Sequence, residues 1–196
     1  MAGMRIIAGR WRSRRLAQPP TRDTRPIPDR VKEAIFNMLA AHYTTPAELP
    51  PISVADVFAG SGSLGLEALS RGAASCCFFE RGRQALTTLR RNIAALQAES
   101  LATLVARDAW TSAVADPGGR PFDLILLDPP YRDSDDTSDS GPVAQYLRRL
   151  DLDRPQRPLI VLHHRASKVD RPHWPPGWRT IKHRTFGTNA VSFITR

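Results

Sequence analysis

The chain has 196 residues, 41% of them hydrophobic, enough for one α/β domain with a small extension. No apolar run is long enough to cross a bilayer, and the N-terminus lacks the succession of charged, apolar and small residues of a signal peptide. The net charge of +9 is concentrated at the ends: residues 1–32 hold nine Lys/Arg against two Asp/Glu, residues 33–153 ten against sixteen, and residues 154–196 nine against one. Basic ends around an acidic middle point to a polyanionic partner more than even scatter for solubility would.

Residues 1–17 alternate short apolar pairs with Arg5, Arg10, Arg12, Arg14 and Arg15, which suggests a small strand pair or an arm. Residues 18–28 are rich in Pro and Thr and read as a linker. Val31, Ile35, Met38 and Leu39 then recur at helical spacing, with Asp29 as a plausible N-cap. Pro46, Pro50 and Pro51 close this extension, so residues 1–49 form a basic arm and helix, and residues 50–196 the main domain.

From Ile52 the pattern becomes an alternation. Apolar runs at Ile52–Phe58, Ser75–Glu80, Leu101–Arg107, Asp123–Leu127 and Leu159–His163 predict strands. Helical patterns separate them at Leu64–Arg71, Gln84–Leu96, Trp110–Ala115 and Val143–Leu150, and residues 132–141 form a polar loop. Two late runs, near Trp178–His183 and Ala190–Thr195, predict a closing hairpin. Strands alternating with helices imply a parallel, doubly wound sheet, with ligands beyond the carboxyl ends of the strands. Cys76 and Cys77 are adjacent within one strand, so they face opposite ways and read as buried small hydrophobes. Neither has a second Cys/His pair at zinc spacing, so no metal is expected, and a reducing cytoplasm is the natural compartment.

The chemistry-bearing motifs fall at the strand ends. Gly60-Ser61-Gly62-Ser63-Leu64-Gly65 follows the first strand and opens a helix, a turn in which the backbone can approach a ligand. Glu80 ends the next strand, where a carboxylate can accept both hydroxyls of a ribose. This geometry suits a dinucleotide or S-adenosylmethionine (AdoMet). Asp56, just before the turn, favours the latter, because it could attract the methionine ammonium, although a core or capping role is open. Asp108 could accept from the adenine amine or equally cap the helix that follows.

Asp128-Pro129-Pro130-Tyr131 follows the fourth strand directly. An exocyclic base amine is a poor nucleophile whose nitrogen turns tetrahedral and positive as it attacks a sulfonium methyl. Acceptors aimed at its hydrogens, the Asp128 carboxylate and the Pro129 carbonyl, would stabilise that change. The prolines stiffen the turn and remove donors, and Tyr131 offers a stacking face. An ionised Asp only accepts, which matches the N1–H and N2–H edge of guanine, although some adenine methyltransferases also carry Asp here. His163, His164, His173 and His183 show no catalytic spacing.

The pattern as a whole resembles the RsmD-type ribosomal RNA guanine-N2 methyltransferases. The resemblance rests on Arg5-Ile6-Ile7-Ala8-Gly9-Arg10-Trp11-Arg12, on Arg25-Pro26 with Asp29-Arg30-Val31-Lys32-Glu33, on residues Asp56 to Ala68, and on the Asp-Pro-Pro-Tyr tetrad. It implies a Rossmann-like class I methyltransferase fold, a seven-stranded sheet with the last strand antiparallel. It also implies AdoMet as donor and guanine 966 of 16S ribosomal RNA as acceptor, within a partly assembled small subunit. Asp128, Pro129, Pro130 and Tyr131 would then be catalytic. Asp56, Phe58, Gly60, Ser61, Gly62, Gly65, Glu80 and Asp108 would bind cofactor. Arg10, Arg12, Arg14, Arg15, Arg25 and Arg30 are the candidate RNA contacts, and the expected enzyme is a monomer without membrane contact. Ser13 stands where the family usually has Gly, Ile27 where it has Thr, and Gly82 where it has an acid; the 132–141 loop also looks longer. The rivals are a DNA adenine or protein glutamine amide methyltransferase, a nicotinamide oxidoreductase, and a non-catalytic RNA-binding module.

Overall fold

The computed structural model describes residues 4–19, 27–112, 115–136, 138–150, 157–166 and 174–196. Arg25 and His173 lie outside the described residues. The strands are β1 (Ser53–Val57), β2 (Ser75–Phe79), β3 (Ala102–Val105), β4 (Leu124–Leu127), β5 (Leu159–Arg165), β6 (Arg179–Phe186) and β7 (Asn189–Thr195). They form one sheet in the order β3-β2-β1-β4-β5-β7-β6. Every pairing from β3 to β5 is parallel, and only β7 runs against its neighbours. The doubly wound sheet with a reversed last strand is therefore as expected. The order reverses direction at β1, whose carboxyl end lies between those of β2 and β4, and this is where such sheets open a crevice.

Helices α1 (Asp29–His42), α2 (Ser63–Ser70) and α3 (Arg83–Leu96) pack with the arm on one face; α4 (Ala109–Ser112), α5 (Tyr131–Ser134) and α6 (Pro142–Arg149) complete the set. The period-2 alternation of strand side chains feeds two cores. Val54, Cys76, Phe78 and Leu126 join Ile35, Leu66, Leu69 and Leu89 on one side. Ala55, Cys77, Phe79 and Leu127 join Val143, Tyr146 and Leu147 on the other. Cys76 and Cys77 thus lie on opposite faces, both buried and both thiols. Among the described residues, no helix is long and apolar enough to cross a membrane.

Three local expectations change. Pro28, not Asp29, is the N-cap of α1; Asp29 is the first helical residue, where its charge still favours the dipole, and it pairs with Arg5 at 3.1 Å. The predicted polar loop begins with α5, whose amide groups at Asp133 and Ser134 bond back to the Pro130 carbonyl. The arm is a tight hairpin with a single bridge, Arg5 to Arg15, rather than a strand pair. Its turn places Ser13 at φ 67°, a left-handed conformation that explains why a Gly suits this position.

The arm is not a separate appendage. Met4, Ile6 and Leu16 are part of the core beneath α2 and α3. Glu67, fully buried in α2, accepts the Ile7 and Ala8 amides at 2.7 and 3.0 Å and pairs with Arg71 at 2.7 Å. Lys32 of α1, equally buried, donates to the Arg5 carbonyl at 2.6 Å and to Ser63 Oγ at 3.0 Å, with Glu67 at 3.8 Å. Burial pulls the Lys32 ammonium below its usual range, opposed by Glu67 and Asp29. Asn92 of α3 accepts the Ala17 amide and donates to the carbonyls of Ala17 and Ser61, so the end of the arm is tied to the back of the glycine turn.

Candidate active site

The glycine turn is held by two carboxylates. Asp56 is 1% exposed, and its Oδ2 accepts the Gly65 amide at 2.8 Å, which fixes the first turn of α2 against β1. Burial pushes this carboxyl up to about 8, beyond what the Gly65 bond restores, and the charges of Asp128 and Glu80 act in the same upward direction. Glu80 accepts the Gly60 amide at 2.9 Å with one oxygen and the Arg81 and Gly82 amides at 2.8 and 2.7 Å with the other. It staples the turn to the end of β2, and Gly82, in place of the family's second acid, supplies one of those donors. Gly60 adopts φ 56°, and a Cβ there would meet only the Phe58 carbonyl oxygen, at 4.0 Å, so the backbone conformation and not crowding calls for glycine.

Other residues of the turn face inward. Ser61 Oγ meets Met4 Sδ at 3.1 Å, under the arm, so the side chain serves packing and not a ligand. A Cβ on Gly65 would stand 2.4 Å from Phe78 and 2.6 Å from Cys76 Sγ, both buried. Gly65→Ala is therefore expected to cost about 1–3 kcal/mol, read as a lower Tm, because neither neighbour can retreat. Gly62 is similarly closed by Leu89 at 2.4 Å. Phe58, at φ 66°, turns its ring onto Trp110, centroids 4.8 Å apart, and Trp110 continues to Tyr146 at 5.9 Å. This aromatic wall flanks the crevice beside β4. Asp108 takes the capping role: one oxygen accepts the Trp110 amide at 2.9 Å and the other pairs with Arg81 at 2.6 Å.

The tetrad stands at the tip of β4. The Asp128 amide bonds to Val57 at 3.2 Å, which continues the β1–β4 pairing, and its side chain remains 29% exposed. Its Oδ1 lies 2.7 Å from Nδ1 of His163. Nε2 of His163 lies 3.0 Å from Oδ1 of Asn189, which also accepts the Tyr131 hydroxyl at 2.7 Å. Tyr131 lies edge-on to His163 at 6.1 Å and beneath the guanidinium of Arg165 at 5.3 Å. His163 and Asn189 were missed by the sequence reading. The available signal was register: Leu127 pairs with Leu162, so the next residues, Asp128 and His163, are neighbours across the strand ends.

The basic arm divides. Arg10 binds the Leu69 carbonyl through Nε and Nη2 at 3.2 and 2.7 Å and covers the Trp11 ring at 4.5 Å, and Arg14 binds the Ala95 carbonyl. These two guanidiniums dock the arm. Arg12, Arg15 and Arg30 are exposed.

The residues at the crevice fit AdoMet better than a dinucleotide. Glu80 and Asp128 place charge beside Asp56 that would oppose a pyrophosphate, whereas a cationic methionine end suits this acid-lined turn. A parallel sheet reversed only at its last strand, with this acid-lined turn and an Asp-Pro-Pro-Tyr tip on β4, defines a Rossmann-like, AdoMet-dependent methyltransferase of class I. The family model described as Conserved hypothetical protein 95 matches residues 4–195. The chain is 32% identical to Ribosomal RNA small subunit methyltransferase D of Haemophilus influenzae, over 94% of this chain and 89% of that one. It is 40% identical to the Escherichia coli protein of the same name, over 66% of this chain and 61% of that one. The solved structure of Escherichia coli yhhF superposes with a TM-score of 0.78 at 30% identity, covering 100% of this chain and 98% of the other. The chain belongs to the RsmD family.

Proposed function

We propose that this chain methylates the exocyclic N2 amine of a guanine in small-subunit ribosomal RNA, guanine 966 by family resemblance. The proposed setting is a cytoplasmic, partly assembled subunit, with the enzyme acting as a monomer. The relatives named as small-subunit ribosomal RNA methyltransferases support the substrate class. The observation that carries the reading is the Asp128 carboxylate, held at the tip of β4 beside the acid-lined turn, with Oδ1 on His163 and the side chain 29% exposed.

Bound AdoMet supplies a methyl group on a positively charged sulfur. Asp128 and the Pro129 carbonyl would accept the amine hydrogens and stabilise the charge that grows on nitrogen as the N–C bond forms and the S–C bond breaks, its electron pair staying on sulfur as a neutral thioether. The spare proton then leaves the amine for the Asp128 carboxylate and passes to solvent. Tyr131, its hydroxyl fixed by Asn189, presents a ring for the base, so much of the rate comes from positioning. The exposed Arg12, Arg15 and Arg30 supply phosphate contacts. The deciding experiment is methyl transfer from labelled AdoMet to small subunits from a strain lacking this protein, with the product nucleoside mapped. Label on guanine N2 supports the reading; label on adenine N6 or on a protein glutamine replaces it.

Asp56 gives a second measurement. A buried carboxyl titrating near 8 is mostly neutral at pH 7, and pairing with the methionine ammonium ionises it. AdoMet binding at pH 7 is expected to release protons, read by calorimetry in two buffers of different ionisation enthalpy. Asp56→Asn should release none. Equal release from both proteins would remove the ammonium contact.

A further inference from the structure

The hydrogen-bond chain from Asp128 to Tyr131 has a fixed proton inventory. Asn189 Nδ2 donates to the Phe186 carbonyl, at 3.5 Å, so its Oδ1 faces both the Tyr131 hydroxyl and His163. The opposite amide orientation would set two acceptors against each other at Phe186. An amide oxygen only accepts, so Nε2 of His163 must carry a proton. A second proton must then lie in the 2.7 Å contact between Nδ1 and Asp128 Oδ1. Carboxylic acids ordinarily ionise more than two pH units below imidazolium, which assigns that proton to the ring.

We propose that His163 is the positioning residue of this site: as an imidazolium it holds Asp128 Oδ1 with one ring proton and Asn189 with the other. It thereby holds the Asp128 carboxylate with its second oxygen free to turn to the base, and it fixes Tyr131 through the same amide. The proposal rests on the guanine reading above, since an acceptor-only carboxylate is what the N1–H and N2–H edge requires.

The surroundings agree. Facing the imidazole are Asp128 from the end of β4, Tyr131 from α5 and Asn189 from β7. Arg165, on the same strand, is engaged over Tyr131 and with Asp135 at 3.6 Å. His164 points to the opposite face, toward Ser192 and His183, and burial holds it near 4, so it is neutral and adds no opposing charge. For His163 itself, burial is the largest influence and acts downward. The hydrogen bond and charge of Asp128, with the bond to Asn189, outweigh it and raise the group above its usual value. Loss of either ring proton would set a nitrogen lone pair against Asp128 or against Asn189. Deprotonation therefore breaks the chain, and the stabilisation it gives is fully present below about pH 6.5 and lost as pH rises through the raised value.

Two measurements test this. Nitrogen-15 NMR of the folded protein should show both ring nitrogens of His163 protonated at pH 7, and Asp128→Asn should leave the ring neutral at that pH. A neutral His163 in the unaltered protein would overturn the proposal, whatever the substrate proves to be. In the methyl-transfer assay at saturating AdoMet, kcat of the unaltered enzyme should fall about tenfold per pH unit above the His163 titration. His163→Asn keeps a donor for Asp128 but cannot titrate; it should be about tenfold slower at pH 7, with unchanged KM for AdoMet and that alkaline limb removed. His163→Leu, which keeps no donor, should lose about a hundredfold. An alkaline limb in His163→Asn identical to that of the unaltered enzyme would refute the positioning role, while label on the wrong base would refute only the substrate.

Discussion

Asp128→Ala is expected to lower methyl transfer by about a thousandfold while AdoMet affinity stays within about twofold of the unaltered enzyme. The carboxylate meets the growing charge on the amine, and the glycine turn is held by other groups, Asp56 and Glu80. Asp128→Asn should be nearly as damaging, although it is almost isosteric. It loses the negative charge that meets the growing charge on the amine and the site that takes its proton. Single-turnover rates and equilibrium AdoMet binding, measured on the same preparations, check both variants. Retained turnover in Asp128→Asn would show that the charge of the carboxylate is not what the amine needs.

The second large effect concerns stability. Glu67→Ala should destabilise the protein by about 3–5 kcal/mol, because it strands Arg71 and Lys32 without their carboxylate and leaves the Ile7 and Ala8 amides without an acceptor. Denaturant unfolding monitored by circular dichroism would read it. Glu67→Gln keeps an oxygen for the arm and should lose less. The same packing makes removal of residues 1–17 a poor probe of RNA binding, since it takes Met4, Ile6 and Leu16 out of the core. Arg12→Ala combined with Arg15→Ala is the cleaner variant. It should weaken RNA binding and reduce the salt slope by somewhat under one per lost phosphate contact, with Tm unchanged. A Tm close to that of the unaltered protein in Glu67→Ala would show that the arm holds without its carboxylate.

The sheet and most of the crevice are legible in the sequence for a physical reason. Strands buried on both faces read as unbroken apolar runs such as Leu124–Leu127, and the residues that end them, Glu80 and Asp128, are where ligands bind in such sheets. The orientation of those residues is less legible. Asp56, Ser61 and Asp108 sit at the expected positions, yet their side chains serve Gly65, Met4 and the start of α4. His163 and Asn189 act only because β5 and β7 carry them to Asp128 and Tyr131, a contact set by sheet register and by no local spacing. Glu67 and Arg71 show an ordinary helical i,i+4 pair in the sequence. Their burial depends on Lys32 and on the arm folding back, which no window of the chain encodes.

Asn189 opens β7, which follows the glycine turn and the β4 tip in the chain and runs against the rest of the sheet. A nascent chain can complete the glycine turn and the β4 tip and still lack the group that joins Tyr131 to His163. The arrangement at Asp128 therefore depends on the β6–β7 hairpin seated beside β5. Truncations or fusions that unseat that hairpin should silence the centre while sparing donor recognition at the opposite half of the sheet.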